Sequence, residues 1–214
     1  MQNLEQSSSL EWVKSAHLIP YESAMEEMAL YVDAIQQNAV NERIWLLEHE
    51  HVFTKGTSGE DHEALNVGDV PLMTTRRGGR ITYHGPGQRV GYMMLDLRTR
   101  EKDVRLYVQT VEAWLIETLR YFSLDAFTSP GRIGIWVRTQ TGEEAKIASI
   151  GIRLQKWVSS HGFALNVNPD LTYFKRIIPC GIEQYGVTSL HHLGVRVSIK
   201  EVDDVLQKTF RVFF

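Results

Sequence analysis

Residues 76–88 read Arg-Arg-Gly-Gly-Arg-Ile-Thr-Tyr-His-Gly-Pro-Gly-Gln, and this stretch is the most informative part of the chain. Its glycines let main-chain N–H groups approach a ligand, while the arginines, Thr82, Tyr83 and His84 can orient a carbonyl or an anionic group. A turn-rich surface loop is the simpler alternative, but such loops seldom combine adjacent arginines, an Ile-Thr-Tyr strand fragment and His-Gly-Pro-Gly. We therefore expect a ligand to lie against this segment.

Nucleotide and nucleic-acid binding have no support in the sequence. Neither the phosphate-loop pattern Gly-x-x-x-x-Gly-Lys-Ser/Thr nor the dinucleotide pattern Gly-x-Gly-x-x-Gly occurs. The 23 basic residues stand against 26 acidic ones, and the net charge of −3 supplies no general attraction for nucleic acid or for an anionic membrane. We expect neither as a partner.

The length and the cysteine content limit the architecture. A chain of 214 residues with 43% hydrophobic content can bury one substantial core, so we expect a single domain over residues 1–214, with its core motifs at about 43–190. Residues 1–20 resemble neither a secretory signal nor a transit peptide, and no apolar run approaches the roughly 18 residues that span a bilayer. One cysteine makes no internal disulfide, so a cytoplasmic location is expected.

Hydrophobic spacing outlines helices and strands around the glycine-rich segment. Apolar residues recur at helical spacing from Tyr21 to Ile35 and from Val104 to Phe122, and Ser198 to Glu201 has the form of a capping box before a final helix. Asp170 is a candidate cap for a short helix through Ile178. Strands are predicted over residues 43–54, followed by a loop to Asp69, over 93–97, and as a hairpin of 131–138 and 146–154. The fold class is therefore α/β or α+β.

Cys180 is a candidate nucleophile. Pro179 and Gly181 flank it in a bend that can present a thiol, although a lone cysteine is more often a small buried hydrophobe. A nucleophilic thiol needs a neighbour that favours the thiolate, and Lys146, His84 and His161 are the candidates. Lys146 begins an apolar run, which suits either an ammonium held at the end of the sheet or a solvated lysine after a turn.

The eight histidines do not form a zinc-binding pattern. We expect no metal and no cofactor. His84 either orients a substrate carbonyl or amine or shapes the Gly-Pro-Gly turn, and the apolar run after His161 favours a structural role for that residue.

Five segments together resemble the lipoyl(octanoyl) transferases, the octanoyltransferases of lipoate biosynthesis. They are residues 77–88, Gly-Arg-Ile-Gly-Ile-Trp at 131–136, Lys-Ile-Ala-Ser-Ile-Gly at 146–151, His-Gly-Phe-Ala-Leu-Asn at 161–166 and Pro-Cys-Gly-Ile at 179–182. The resemblance implies a mixed sheet flanked by helices, similar to the catalytic core of lipoate and biotin protein ligases. It also implies Cys180 as the acyl-thioester nucleophile and Lys146 as its partner. The implied substrate pocket comprises Arg77, Gly78, Gly79, Arg80, Ile81, Thr82, Tyr83, His84, Ser149, Ile150, Gly151, Gly162, Phe163 and Ala164.

The same resemblance implies the reaction and its partners. The donor would be acyl carrier protein carrying octanoyl-phosphopantetheine. The acceptors would be lipoyl domains of 2-oxoacid dehydrogenase complexes and the glycine cleavage H protein. An acyl-activating ligase of the same fold class and a catalytically idle module that binds acylated carriers are the alternatives. The Pro-Cys-Gly segment favours transfer over ATP-dependent ligation.

Overall fold

The structure is a computed structural model that describes residues 10–178 and 185–214. Its main sheet contains eight strands, which are β1 (Glu11–Ile19), β2 (Arg43–His49), β6 (Gln88–Met94), β7 (Ala126–Ser129), β8 (Arg132–Arg138), β9 (Glu144–Gln155), β10 (Val158–Asn166) and β11 (Gly186–Val187). A second sheet contains β3 (Val52–Lys55), β4 (Leu72–Thr74) and β5 (Ile81–His84). The helices are α1 (Tyr21–Gln36), α2 (Val104–Tyr121) and α3 (Ile199–Phe210).

The main sheet is mixed, and its order is β1-β2-β6-β10-β9-β8-β7. β1 runs parallel to β2, while the other neighbours along this path are antiparallel. β9 pairs with β10 through residues 148–155 and with the parallel strand β11 through Ala145 and Lys146. β3 pairs with β4 in parallel and with β5 antiparallel in the small sheet.

Helices cover both faces of the main sheet. On β2, alternate residues point to opposite faces, so Ile44 and Leu46 pack in the cluster of α2 and α3 while Trp45 and Leu47 pack with α1. Trp114 of α2 is fully buried in the first cluster. The expected α/β class with a mixed sheet flanked by helices is confirmed.

The three long predicted helices are confirmed, and so is the predicted hairpin, in which β8 pairs antiparallel with β9. The other predictions need correction. The strand expected at 93–97 ends at Met94, because the Asp96 side chain accepts a hydrogen bond from the Arg98 N–H and starts a 3₁₀ turn. The run at 43–54 is two strands that belong to different sheets. The short helix capped by Asp170 is a 3₁₀ helix that ends at Arg176, and β1 and β10 were not predicted. Among the described residues, no helix has the length and apolarity that crossing a membrane requires.

Candidate active site

A cleft on the α1 side of the main sheet collects most of the predicted pocket residues. It lies between the start of α1, the small sheet and strands β6, β9 and β10, whose antiparallel register sets Gly151 opposite Gly162. The glycine-rich segment therefore meets the β9–β10 hairpin, which lies far from it in the sequence. The predicted residues that line the cleft are Arg77, Gly79, Arg80, Thr82, His84, Ser149, Ile150, Gly151, Gly162, Phe163 and Ala164.

Strand β5 divides the predicted residues between two environments. Thr82 and His84 line the cleft, whereas Ile81 and Tyr83 belong to an apolar cluster with Phe53. This separation follows from the two-residue period of a strand, which sends successive side chains to opposite faces. Tyr83 is fully buried, and its hydroxyl lies 2.6 Å from Nδ1 of His51.

The Gly-Gly turn packs directly against strand β9. The N–H of Gly78 donates a hydrogen bond to the carbonyl oxygen of Ile152, although Gly78 is not one of the lining residues. A Cβ on Gly151 would lie 3.0 Å from the Gly78 carbonyl oxygen, which is tighter than an ordinary contact. The glycines therefore permit the close approach of two backbones that forms this wall of the cleft.

The Arg77 guanidinium holds the turn in place. Its Nη2 donates to the carbonyl and hydroxyl oxygens of Thr54 at 2.7 and 2.8 Å and to the carbonyl oxygen of Arg80 at 2.9 Å. The residue is 8% exposed and also lines the cleft. Its positive charge contributes to the lowered pKa values of His84 and His161.

A buried group of rings beside the cleft was not predicted as a unit. Nδ1 of His49 lies 2.7 Å from the carbonyl oxygen of Ile19, and Nε2 lies 2.6 Å from the hydroxyl of Tyr92. A carbonyl oxygen only accepts, so Nδ1 carries the proton and the Tyr92 hydroxyl donates to Nε2. Tyr21 packs against His49 at 5.2 Å and stacks on His84 at 6.2 Å between ring centroids.

Several residues that line the cleft were not predicted as pocket residues from the sequence. Tyr21, Val90 and Tyr92 line the cleft, as does His161, for which the sequence favoured a structural role. Val90 and Tyr92 lie on the part of β6 that was not recognised as a strand. Residues 88, 90 and 92 share one face of the strand, but both faces of β6 are buried, so the exposed polar face that usually marks a strand in a sequence is missing.

His161 has an unusual backbone conformation for a strand. Its φ is 57°, in the left-handed region that non-glycine residues seldom adopt, and it lies within β10 opposite Ile152. Burial is the main reason that its pKa falls to about 3, and the charges of Arg77 and Arg153 lower the pKa further. Strained residues of this kind concentrate at functional sites.

The buried histidines should make the stability of the fold sensitive to acid. Burial lowers the pKa of His49 from 6.5 to about 4, so below about pH 6.5 the unfolded chain takes up a proton that the folded chain does not. Stability from this group is complete above pH 6.5 and is lost as the pH falls toward 4. We expect His49→Gln, which keeps a donor and an acceptor, to reduce the dependence of unfolding free energy on pH by up to about 1.4 kcal/mol per pH unit.

Urea unfolding at several pH values between about 7 and 5 measures this dependence. His62→Gln is the matched control because the His62 side chain is 66% exposed. An unchanged pH dependence in His49→Gln would show that His49 does not titrate as described.

Lys146 is a buried residue inside strand β9 and not a solvated lysine. It is 5% exposed, and its Nζ donates to the carbonyl oxygen of Ile133 at 2.9 Å and lies 4.9 Å from the Trp136 ring centroid. The pairing of β8 with β9 shifts register between Ile135 and Trp136, beside Lys146. Register shifts of this kind re-aim side chains and are common near active sites. Lys146 precedes the cleft residue Ser149 on the same strand but is not one of the lining residues.

Cys180, with Pro179, Gly181 and Ile182, lies outside the described residues. The described residues on both sides of this segment make backbone contacts with other parts of the chain, and those on the downstream side contact Lys146. The N–H of Ile178 donates to the carbonyl oxygen of Glu63, and Val187 is the register partner of Lys146. The N–H of Thr188 then donates to the carbonyl oxygen of Lys146 at 2.9 Å.

Comparisons with known proteins concern the family and the fold of the chain. Residues 20–211 match the family model described as the lipoyl protein ligase A/B catalytic domain. An octanoyltransferase of Zymomonas mobilis is 48% identical over 206 residues, which cover 96% of this chain and 95% of the relative. A bipartite lipoate protein ligase of Thermoplasma acidophilum superposes with a TM-score of 0.70 at 19% identity, covering 96% of this chain and 84% of that one.

A second solved structure, at lower sequence identity, also shares the fold. The biotin acetyl coenzyme A carboxylase synthetase of Helicobacter pylori superposes with a TM-score of 0.55 at 7% identity, covering 96% of this chain and 76% of that one. At such identities, both superpositions show a shared fold alone. The expected likeness to the catalytic core of lipoate and biotin protein ligases is thereby confirmed.

Proposed function

Because this chain belongs to the lipoyl protein ligase A/B catalytic domain family and, within it, to the octanoyltransferases, we propose that it transfers octanoyl groups through a thioester on Cys180. The donor is octanoyl-acyl carrier protein. The acceptor is a specific lysine in the lipoyl domains of 2-oxoacid dehydrogenase complexes and in the glycine cleavage H protein. The reaction takes place in the cytoplasm and is the first step of protein lipoylation from endogenous octanoate.

The cleft suits a fatty acyl chain with one polar end. Val90, Ile150, Phe163 and Ala164 supply apolar walls, and Arg77, Thr82 and His84 supply polar groups in the same cleft. An apolar slot with a few convergent polar groups is typical of sites for small amphiphilic substrates. We propose that the eleven predicted residues that line the cleft bind the octanoyl substrate and the attacking lysine, and that Gly78, Ile81 and Tyr83 support those residues without lining the cleft.

The observation that carries the thioester step is the burial of Lys146. A buried ammonium that is held by the Ile133 carbonyl oxygen and the Trp136 ring has a fixed position. Such a charge favours a nearby thiolate, and as an amine the same group can accept a proton from an attacking nucleophile. The pairing of its strand with Val187, shortly after Cys180 in the sequence, supports Cys180 as the thiol concerned.

The chemistry proceeds in two exchanges. The Cys180 thiolate attacks the donor thioester carbonyl, the carbon–sulfur bond to phosphopantetheine breaks, and the released thiolate takes a proton. The lysine amine then attacks the acyl-enzyme, an amide bond forms, and Cys180 leaves and is protonated. The first step exchanges one thioester for another and the second is downhill, so we propose that no ATP is required.

Intact-protein mass spectrometry tests this proposal. After mixing with octanoyl carrier protein in the absence of nucleotide, the enzyme should carry an octanoyl adduct that hydroxylamine removes. Addition of a lipoyl domain should discharge the adduct and octanoylate the domain. If octanoylation requires ATP and free octanoate, the chain acts as a ligase. A chain that binds the carrier but forms no adduct under any of these conditions is a binding module.

A further inference from the structure

A buried network of side-chain amides connects the cleft to the strand that carries Lys146. Nδ2 of Asn166 donates to the carbonyl oxygen of Thr188 at 3.0 Å, and Nε2 of Gln88 donates to Oδ1 of Asn166 at 2.9 Å. Nδ1 of His84 lies 2.6 Å from Oε1 of Gln88. The exposure of these side chains is 7% or less, so the network is shielded from water.

Two carbonyl oxygens fix the direction of every hydrogen bond in this network. The Thr188 carbonyl oxygen only accepts, so Asn166 must present its NH₂ to it and its oxygen to Gln88. Gln88 must then present its NH₂ to Asn166, and the same NH₂ lies 3.2 Å from the Tyr83 carbonyl oxygen, which also only accepts. The Gln88 oxygen is therefore left facing His84.

The orientation of Gln88 determines the tautomer of His84. An amide oxygen only accepts, so His84 must carry a proton on Nδ1 to make the 2.6 Å contact. Burial, together with the positive charge of Arg77, lowers the pKa of His84 well below its ordinary value, which keeps the ring neutral. In a neutral ring with Nδ1 protonated, Nε2 is a hydrogen-bond acceptor.

We propose that Gln88 is a positioning residue that fixes His84 as an acceptor, and that Nε2 of His84 receives a hydrogen bond from the substrate lysine amine as that amine attacks the acyl group. The inference rests on the proposed function and adds a specific contact to its second step. An acceptor cannot donate to the acyl carbonyl or to the oxyanion, so His84 serves the amine and not the carbonyl. His84 orients the N–H without removing the proton.

The tautomer can be measured directly. In protein labelled with ¹⁵N-histidine, long-range nitrogen–proton correlations should assign the His84 proton to Nδ1, with an unprotonated Nε2. Gln88→Met removes the acceptor at Nδ1 and keeps the length of the side chain. The His84 signals should then shift toward the other tautomer. A proton on Nε2 in the unmodified protein would overturn the inference.

Half-reaction kinetics test the contact with the amine. In Gln88→Met, formation of the octanoyl adduct from octanoyl carrier protein should stay within about twofold of the unmodified protein, while discharge by a lipoyl domain should slow about tenfold, the effect of one misdirected hydrogen bond. Gln37→Met, at an exposed position, is the control and should change neither step. Equal slowing of both steps, or no slowing of discharge, contradicts the role assigned to Gln88.

A second pair of variants covers the case in which Gln88→Met does not fold. His84→Leu removes the acceptor, whereas the amide oxygen of His84→Gln can still accept from an amine. Discharge should be faster in His84→Gln than in His84→Leu, and equal rates would overturn the inference. Failure of the unmodified protein to form any adduct would instead refute the proposed function, which distinguishes the two results.

Discussion

Replacing Lys146 with methionine should reduce octanoyl transfer by about a thousandfold or more, the range found when one member of a catalytic pair is removed. Methionine has a similar length and keeps the packing against Trp136, so the change is mainly the loss of the ammonium. Lys146 is 5% exposed, and alanine there would also leave a cavity. Cys180→Ala should lose both transfer and the octanoyl adduct.

Steady-state transfer from octanoyl carrier protein to a lipoyl domain measures this effect, and circular dichroism checks the fold. Lys102→Met is the matched control, because Lys102 is exposed and lies in the segment before α2. Transfer that remains within about threefold of the unmodified rate in Lys146→Met would refute the proposed pair.

The pH dependence of Cys180 alkylation separates the two roles proposed for Lys146. A free thiol has a pKa near about 8.5, so little thiolate is present at neutral pH unless a positive charge favours it. If Lys146 is the electrostatic partner, the alkylation midpoint should move upward in Lys146→Ala and in Lys146→Met. An unchanged midpoint with lost transfer would assign Lys146 to deprotonation of the attacking amine.

The sequence predicted the helices and the cleft better than it predicted the sheet. Helical spacing and the capping box identify α1, α2 and α3 because each helix buries one stripe of side chains. β6 and β10 are buried along their whole length, so they lack the alternation that marks a half-exposed strand. β1 is mostly exposed, and its pairing with β2 is a long-range contact that a local sequence pattern cannot predict.

The candidate site shows the same division between local and long-range information. In the sequence, glycines next to charged residues mark the walls of the cleft. Two backbone segments that pack closely need glycine at the contact, whichever part of the chain supplies the second segment. The tautomer of His84 depends on Gln88, Asn166 and Thr188, which meet only in the folded chain. The spacing of residues in the sequence therefore does not predict the tautomer. The burial of Lys146 likewise depends on the pairing of its strand with β8 and β11.

The largest single effect on stability should come from the buried ion pair between strand β6 and helix α3. Nε of Arg89 donates to Oδ1 of Asp203 at 2.7 Å, and a second hydrogen bond joins Nη2 to Oδ2. The two residues are 2% and 3% exposed. Removing one partner of such a pair leaves the other charge buried without compensation, which typically costs about 3–5 kcal/mol.

Asp203→Leu should therefore lower the free energy of unfolding by about 3–5 kcal/mol, measured by urea unfolding. Asp204→Leu is the matched control, because the neighbouring carboxylate is 53% exposed and its pairs with Lys14 and Lys200 should contribute less than about 1 kcal/mol each. The double variant Arg89→Met with Asp203→Leu should recover most of the loss, since no buried charge then remains. If the double variant is less stable than Asp203→Leu alone, the cost arises from lost packing and not from the unpaired guanidinium.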